Sequence, residues 1–142
     1  MQSHYLAVAL EMLLRGTVHT YSDALGRQPE KAASIWYVGR ACEVIESCIG
    51  EALSVSCIAH KVGVSARSLQ NGFRRYLGVT PVQYIRDRRL ERLHASLQSA
   101  DPTSSVTELM LGCGIVNFGR FARHYRQRFG CKPSQTLYRK QM

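Results

Sequence analysis

Two short stretches of this chain spell the same helix ending. FRRYLGVTP runs from Phe73 to Pro81 and YRQRFGCKP from Tyr125 to Pro133, 52 residues apart. Each reads aromatic, Arg, two polar or basic residues, a bulky apolar residue, Gly, two residues, Pro. The upstream residues repeat as well. Val55, Ile58, Gly63 and Val64 align with Val106, Leu109, Gly114 and Ile115 at an offset of 51, and Ser65, Leu69 and Phe73 align with Asn117, Phe121 and Tyr125 at 52. One extra residue in the second turn accounts for the change. The repeated unit is a short helix, a Gly-containing turn and a longer helix, which is the plan of a helix-turn-helix.

Local signals place the remaining elements. Ile35 to Ile49 has apolar residues at helical spacing, with Gly50 as a stop. Ser54 caps a helix over Val55 to Val62, and Ser65 caps one whose inward side is Leu69, Phe73 and Leu77, ended by Gly78. Thr80-Pro81-Val82-Gln83 is a capping box with Pro at the first helical position. It opens a helix to about Gln98 with Ile85, Leu90, Leu93 and Leu97 inward. Ser105 and Glu108 form a second expected capping box. Asn117 caps a helix with Phe121, Tyr125 and Phe129 inward, and Pro133 opens a last one to about Lys140. Before these, Tyr5 to Leu14 reads as a short apolar helix and Thr17 to Ser34 as an irregular connector. The expected fold is all-α: two helix-turn-helix subdomains (39–80 and 104–142) joined by a linking helix over 81–99, with 1–38 as an N-terminal helix and linker.

The charge has a location. Residues 1–38 carry three basic and three acidic residues, so the net +9 of the 142-residue chain lies entirely in 39–142. Arg dominates there, and its planar fork of donors suits phosphate and guanine. The outward face of the first longer helix is Arg67, Gln70, Asn71, Arg74 and Arg75; that of the second is Phe118, Arg120, Arg123, Arg126 and Gln127. Neither helix contains an acidic residue, whereas a merely solvated helix usually mixes both signs. A linking helix of 18 residues spans about 27 Å. With its flanking helices, it would set the two basic helices ~34 Å apart, one turn of B-DNA.

Other chemistries find no support. The five cysteines (Cys42, Cys48, Cys57, Cys113, Cys131) are odd in number and lack a C-x-x-C, so they read as small buried thiols of a reducing cytoplasm. The five histidines lack metal-ligand spacing, and neither a G-x-S-x-G nor a Walker loop occurs. No catalytic residue, metal or cofactor is expected, and no long apolar run suggests a membrane. Asp87 and Glu91 are expected in solvated ion pairs with Arg86, Arg88, Arg89 and Arg92, and Trp36 is expected to anchor the first domain helix. Gly72, inside the first basic helix, costs about 1 kcal/mol against Ala, so it reads as a site of close backbone approach or as a soft point.

The stretches SVSCIAHKVGVSARSLQNGFRRYLGVTPVQYIRDRRLERL and SVTELMLGCGIVNFGRFARHYRQRFGCKPSQTLYR resemble the DNA-binding domain of AraC/XylS-type transcription regulators, its XylS-like branch in particular. The resemblance covers residues 39–142. It implies seven helices, binding to double-stranded promoter DNA and contact with RNA polymerase in a bacterial cytoplasm. By that pattern Ala66, Arg67, Gln70 and Asn71 read bases from the first helix, and Phe118, Gly119, Arg120 and Arg123 from the second. Ser65, Arg74, Arg75, Asn117, His124, Arg126 and Arg128 hold phosphates. The branch carries Trp-Gly-Phe-x-His where this chain has Cys113-Gly114-Ile115-Val116-Asn117. Residues 1–38, with LLRGTVHTYSDALG, resemble the end of an N-terminal effector-binding domain. That implies a fragment or a short form of a longer regulator, and a homodimer formed through such a domain. The rival reading is a basic helical module for protein or RNA contact without promoter specificity.

Overall fold

The computed structural model describes residues 28–139, with side chains from Ile35 onward. The expected helix over Tyr5 to Leu14 lies outside the described residues. Seven helices follow in order: α1 (Gln28–Ser47), α2 (Val55–Val62), α3 (Ala66–Leu77), α4 (Pro81–Ser99), α5 (Val106–Gly112), α6 (Phe118–Phe129) and α7 (Pro133–Tyr138). No strand occurs among the described residues. α1 begins within the stretch expected to be an irregular connector. Pro29 stands in its first turn, where a missing N–H leaves no hydrogen bond unmade.

The described chain forms two compact units, residues 28–47 with Leu53–Gln83, and Cys48–Ala52 with 84–139. In the first, α1 packs on α2 and α3. Val38, Ala41 and Ile45 of α1 are buried, as are Ile58 and Val62 of α2 and Leu69 and Phe73 of α3. Gly72 is buried too, and a Cβ there would stand 2.7 Å from the Tyr37 ring and 2.7 Å from Val38 Cγ2. The residue is therefore a site of close approach between α3 and α1. The Tyr37 hydroxyl fixes the pair by donating to the Ser68 carbonyl at 3.0 Å.

The second unit is built on Leu90, Leu93 and Leu97 of α4, Met110 of α5, Ile115, Tyr125 of α6 and Leu137 of α7. Cys113 joins this core, and burial raises its thiol pKa, so it stays protonated and apolar. The Cys48–Ala52 segment is tied to the same unit by Arg89. Its guanidinium donates to the Ile49 carbonyl at 3.1 Å and the Glu51 carbonyl at 2.7 Å. Arg89 thus holds a loop, not a carboxylate as its flanking position suggested. Gly114 closes this corner with φ 74; a Cβ there would meet the Ile49 carbonyl oxygen at 2.7 Å.

Three further expectations are corrected. Trp36 is 65% exposed and so does not anchor a core, and Cys57 is exposed. Ser105 begins α5 without a side-chain capping bond, unlike Thr80, whose N–H reaches Gln83 Oε1 at 2.9 Å while its Oγ1 accepts from Gln83 N–H at 3.2 Å.

Candidate nucleic-acid interface

Each longer helix is held by one face and offers the other. On α3, Ser65 Oγ accepts from the Ser68 N–H at 3.1 Å, satisfying one of the open donors of the first turn. With Leu69 and Phe73 buried at a four-residue interval, Arg67, Gln70, Asn71 and Arg74 fall on the opposite stripe, and all four are exposed. Ser65 and Arg75 are exposed and Ala66 is half-buried. The helix ends in a left-handed residue, Gly78 at φ 69, whose N–H bonds the Arg74 carbonyl.

α6 repeats this construction with a different mount. Asn117 Oδ1 accepts from the Arg120 N–H at 3.2 Å, and Gly130 at φ 75 closes the far end on the Arg126 carbonyl. Tyr125 is fully buried, and its hydroxyl lies 2.6 Å from His94 Nδ1 on α4 and donates to Thr136 Oγ1 on α7 at 2.8 Å. The His94 ring stacks on Phe129 at 4.1 Å with 3° between planes. Burial lowers the His94 pKa from the usual 6.5, so the neutral ring is the favoured form. Outward, Asn117, Phe118, Gly119, Arg120, Arg123, Arg126 and Gln127 are exposed, while His124 is half-buried beside Phe121.

Arg128 departs from its expected place among the phosphate-holding side chains. Its guanidinium bonds Glu91 and lies 3.9 Å from Asp87, both on α4. Those carboxylates also pair with Arg88 and Arg86, and all of these side chains are largely sheltered from solvent. The cluster braces α6 on α4. It also corrects the expectation of freely solvated pairs on the linking helix.

Sequence reasoning missed two residues beside α6. An open groove of about 520 Å³ runs along it, and its lining includes Thr107, Phe118, Arg123, Arg126 and Lys132. Lys132 stands 52 residues after Thr80 and, like it, is the N-cap of the next helix, so the repeat marks it as a cap and not as a groove residue; Thr107 carries no signal. Among the described residues no group of three His, Cys, Asp or Glu side chains is placed to hold a metal ion, and no helix is long and apolar enough to cross a membrane.

Two copies of a short helix, a turn and an arginine-bearing second helix define a tandem helix-turn-helix protein. Comparison with known proteins agrees: residues 58–139 match the family described as "Helix-turn-helix domain". The solved structure of an AraC-type DNA-binding-domain transcriptional regulator from Chromobacterium violaceum is 33% identical, with a TM-score of 0.67, over 77% of this chain and 96% of that one. The chain belongs to the AraC/XylS-type helix-turn-helix family. Among curated relatives, a probable thc operon regulatory protein of Rhodococcus erythropolis is 38% identical over 126 residues, covering 88% of this chain and 37% of the relative. A XylDLEGF operon transcriptional activator of Pseudomonas putida is 41% identical over 106 residues, 72% of this chain and 31% of the relative. The chain therefore spans about a third of the length of these two relatives.

Proposed function

We propose that this protein binds double-stranded promoter DNA sequence-specifically and regulates transcription, with α3 and α6 entering successive major-groove segments of one duplex. The observation that carries the reading is the paired exposed face of Arg, Gln and Asn on two capped helices that hold no acidic residue. Arg reaches guanine O6 and N7 together, and Asn or Gln reaches adenine N6 and N7. Arg67, Gln70 and Asn71 with Ala66 read bases from α3; Arg120 and Arg123 with Phe118 and Gly119 read them from α6. Ser65, Arg74, Arg75, Asn117, His124 and Arg126 hold phosphates, which fix register without specifying sequence. Arg128 is assigned no DNA role, because Glu91 holds it.

RNA polymerase and a second copy of the regulator are the protein partners of this reading, and the bacterial cytoplasm is its setting. Relatives named as operon regulators support a regulatory and non-catalytic role. The test is selection from a random duplex library with the full chain. The expected outcome is enrichment of two short blocks about 10 base pairs apart, centre to centre. Equal affinity for all duplexes would instead favour a basic module without promoter specificity.

A further inference from the structure

The second repeat contains one residue that the first lacks. The first turn runs Gly63-Val64-Ser65; the second runs Gly114-Ile115-Val116-Asn117. The neighbours of Val116 divide the structural work between them. Gly114 makes the left-handed bend, Ile115 is fully buried in the core, and Asn117 caps α6. Val116 has none of these tasks. It is 80% exposed, more than any other large apolar side chain among the described residues. A Val held at that exposure gains nothing from the fold.

Its position narrows what it meets. Consecutive Cα atoms lie about 3.8 Å apart, so Val116 adjoins the cap and stands within about 7.6 Å of Phe118, which is 36% exposed. Two apolar side chains thus flank the N-terminal end of α6, and the first residues of a second helix are those that touch base edges in this motif. The other exposed side chains at that end, Asn117 and Arg120, are polar or basic. Single exposed apolar residues are common on protein surfaces. Here one is inserted, β-branched and two residues from another, at the end of the helix proposed to contact DNA. The major-groove edges of the four base pairs offer one apolar group, the thymine 5-methyl.

We infer that Val116 is a specificity-determining residue, packing its isopropyl group against the 5-methyl of one thymine at the edge of the α6 site, with Phe118 closing the other side. The inference rests on the reading of α6 as a DNA-contacting helix. Cytosine at that position presents a polar amino group and no methyl, so it is disfavoured.

Deoxyuridine tests this, because it removes only the methyl. In the preferred duplex from library selection, each thymine is replaced singly by deoxyuridine, and Kd is measured for the full chain and for Val116→Ala. The expected result is one position where the wild type weakens about threefold to fivefold, the value of burying one methyl group. At that position Val116→Ala no longer distinguishes the two bases. The variant should melt at the wild-type temperature, since the side chain is exposed. Uracil tolerated at every position overturns the inference, and so does an equal penalty in Val116→Ala; either result leaves DNA binding intact. Absence of any preferred duplex removes the DNA-binding reading itself, and this inference with it.

Discussion

Arg123 and Arg74 both project from exposed helix faces, yet their positions predict different losses. Arg123 sits near the middle of α6, beside the groove, among the residues assigned to base edges. Arg123→Ala is expected to cost about 1–3 kcal/mol on the preferred duplex and to relax base choice at one position. Arg74 lies in the last turn of α3, and Arg74→Ala is expected to weaken preferred and random duplexes by the same factor. Parallel binding curves on the two duplexes check this, and identical behaviour of the two variants would contradict the division into readers and holders. At Gly72 two effects oppose each other. Ala favours a helix by about 1 kcal/mol over Gly. The added Cβ would stand 2.7 Å from Tyr37 and from Val38, and neither gives way easily. Val38 is fully buried, and the Tyr37 hydroxyl is bonded to the Ser68 carbonyl. Overpacking of this kind costs about 1–3 kcal/mol, so Gly72→Ala is expected to lower the melting temperature. A rise would show that α1 yields.

At the scale of elements, the mount of α6 is the feature with a pH signature. His94 shares a hydrogen bond with the Tyr125 hydroxyl and stacks on Phe129, and burial lowers its pKa below the usual 6.5. The unfolded chain then binds the proton more readily than the folded one. Its stabilising contribution is complete above pH 6.5 and is lost as pH falls from there through the folded-state pKa. Melting temperatures between pH 7.5 and 5.5 should therefore fall in the wild type more steeply than in His94→Asn, which keeps a hydrogen-bonding group near Nδ1 but does not titrate. Parallel declines would dismiss His94 as the cause. Tyr125 and Phe129 were legible as inward residues, but their partner was not, since His94 is one of five unremarkable histidines. The helices were legible because their ends are written in local chemistry, as at Ser54, Ser65 and Asn117 for starts and Gly78 and Gly130 for stops. The start of α1 was not, because the Gly26 to Pro29 region reads equally as a connector and as a first turn. Periodicity told which face of α6 points outward, but Arg128 sits at the margin of that face. Only packing decides that its long side chain crosses to Glu91 instead of reaching solvent. Arg89 and the Cys48–Ala52 loop teach the same thing: a flexible cation finds its partner across elements, beyond the reach of spacing along one helix.

For the whole molecule, the net +9 lies downstream of residue 38, and that sets how DNA affinity should respond to salt. A protein that neutralises phosphates releases condensed cations, so the logarithm of affinity falls linearly with the logarithm of salt concentration at about −0.9 per phosphate. Roughly 6–10 phosphate contacts predict a slope on the order of −5 to −9. The structure makes the prediction sharper, because it separates arginines by what already holds them. Arg74 is exposed, so Arg74→Ala should reduce the magnitude of the slope by about 1 and leave the melting temperature nearly unchanged. Arg128 carries the same charge but is bound to Glu91, so Arg128→Ala should leave the slope unchanged. It should instead destabilise the second unit by about 1–2 kcal/mol, between the values for exposed and for buried ion pairs. A salt titration of both variants, paired with thermal melts, distinguishes the two roles. If Arg128→Ala flattened the slope while Arg74→Ala did not, the Glu91 pair would have to open on DNA, and the charge assigned to α3 would be facing something other than phosphate.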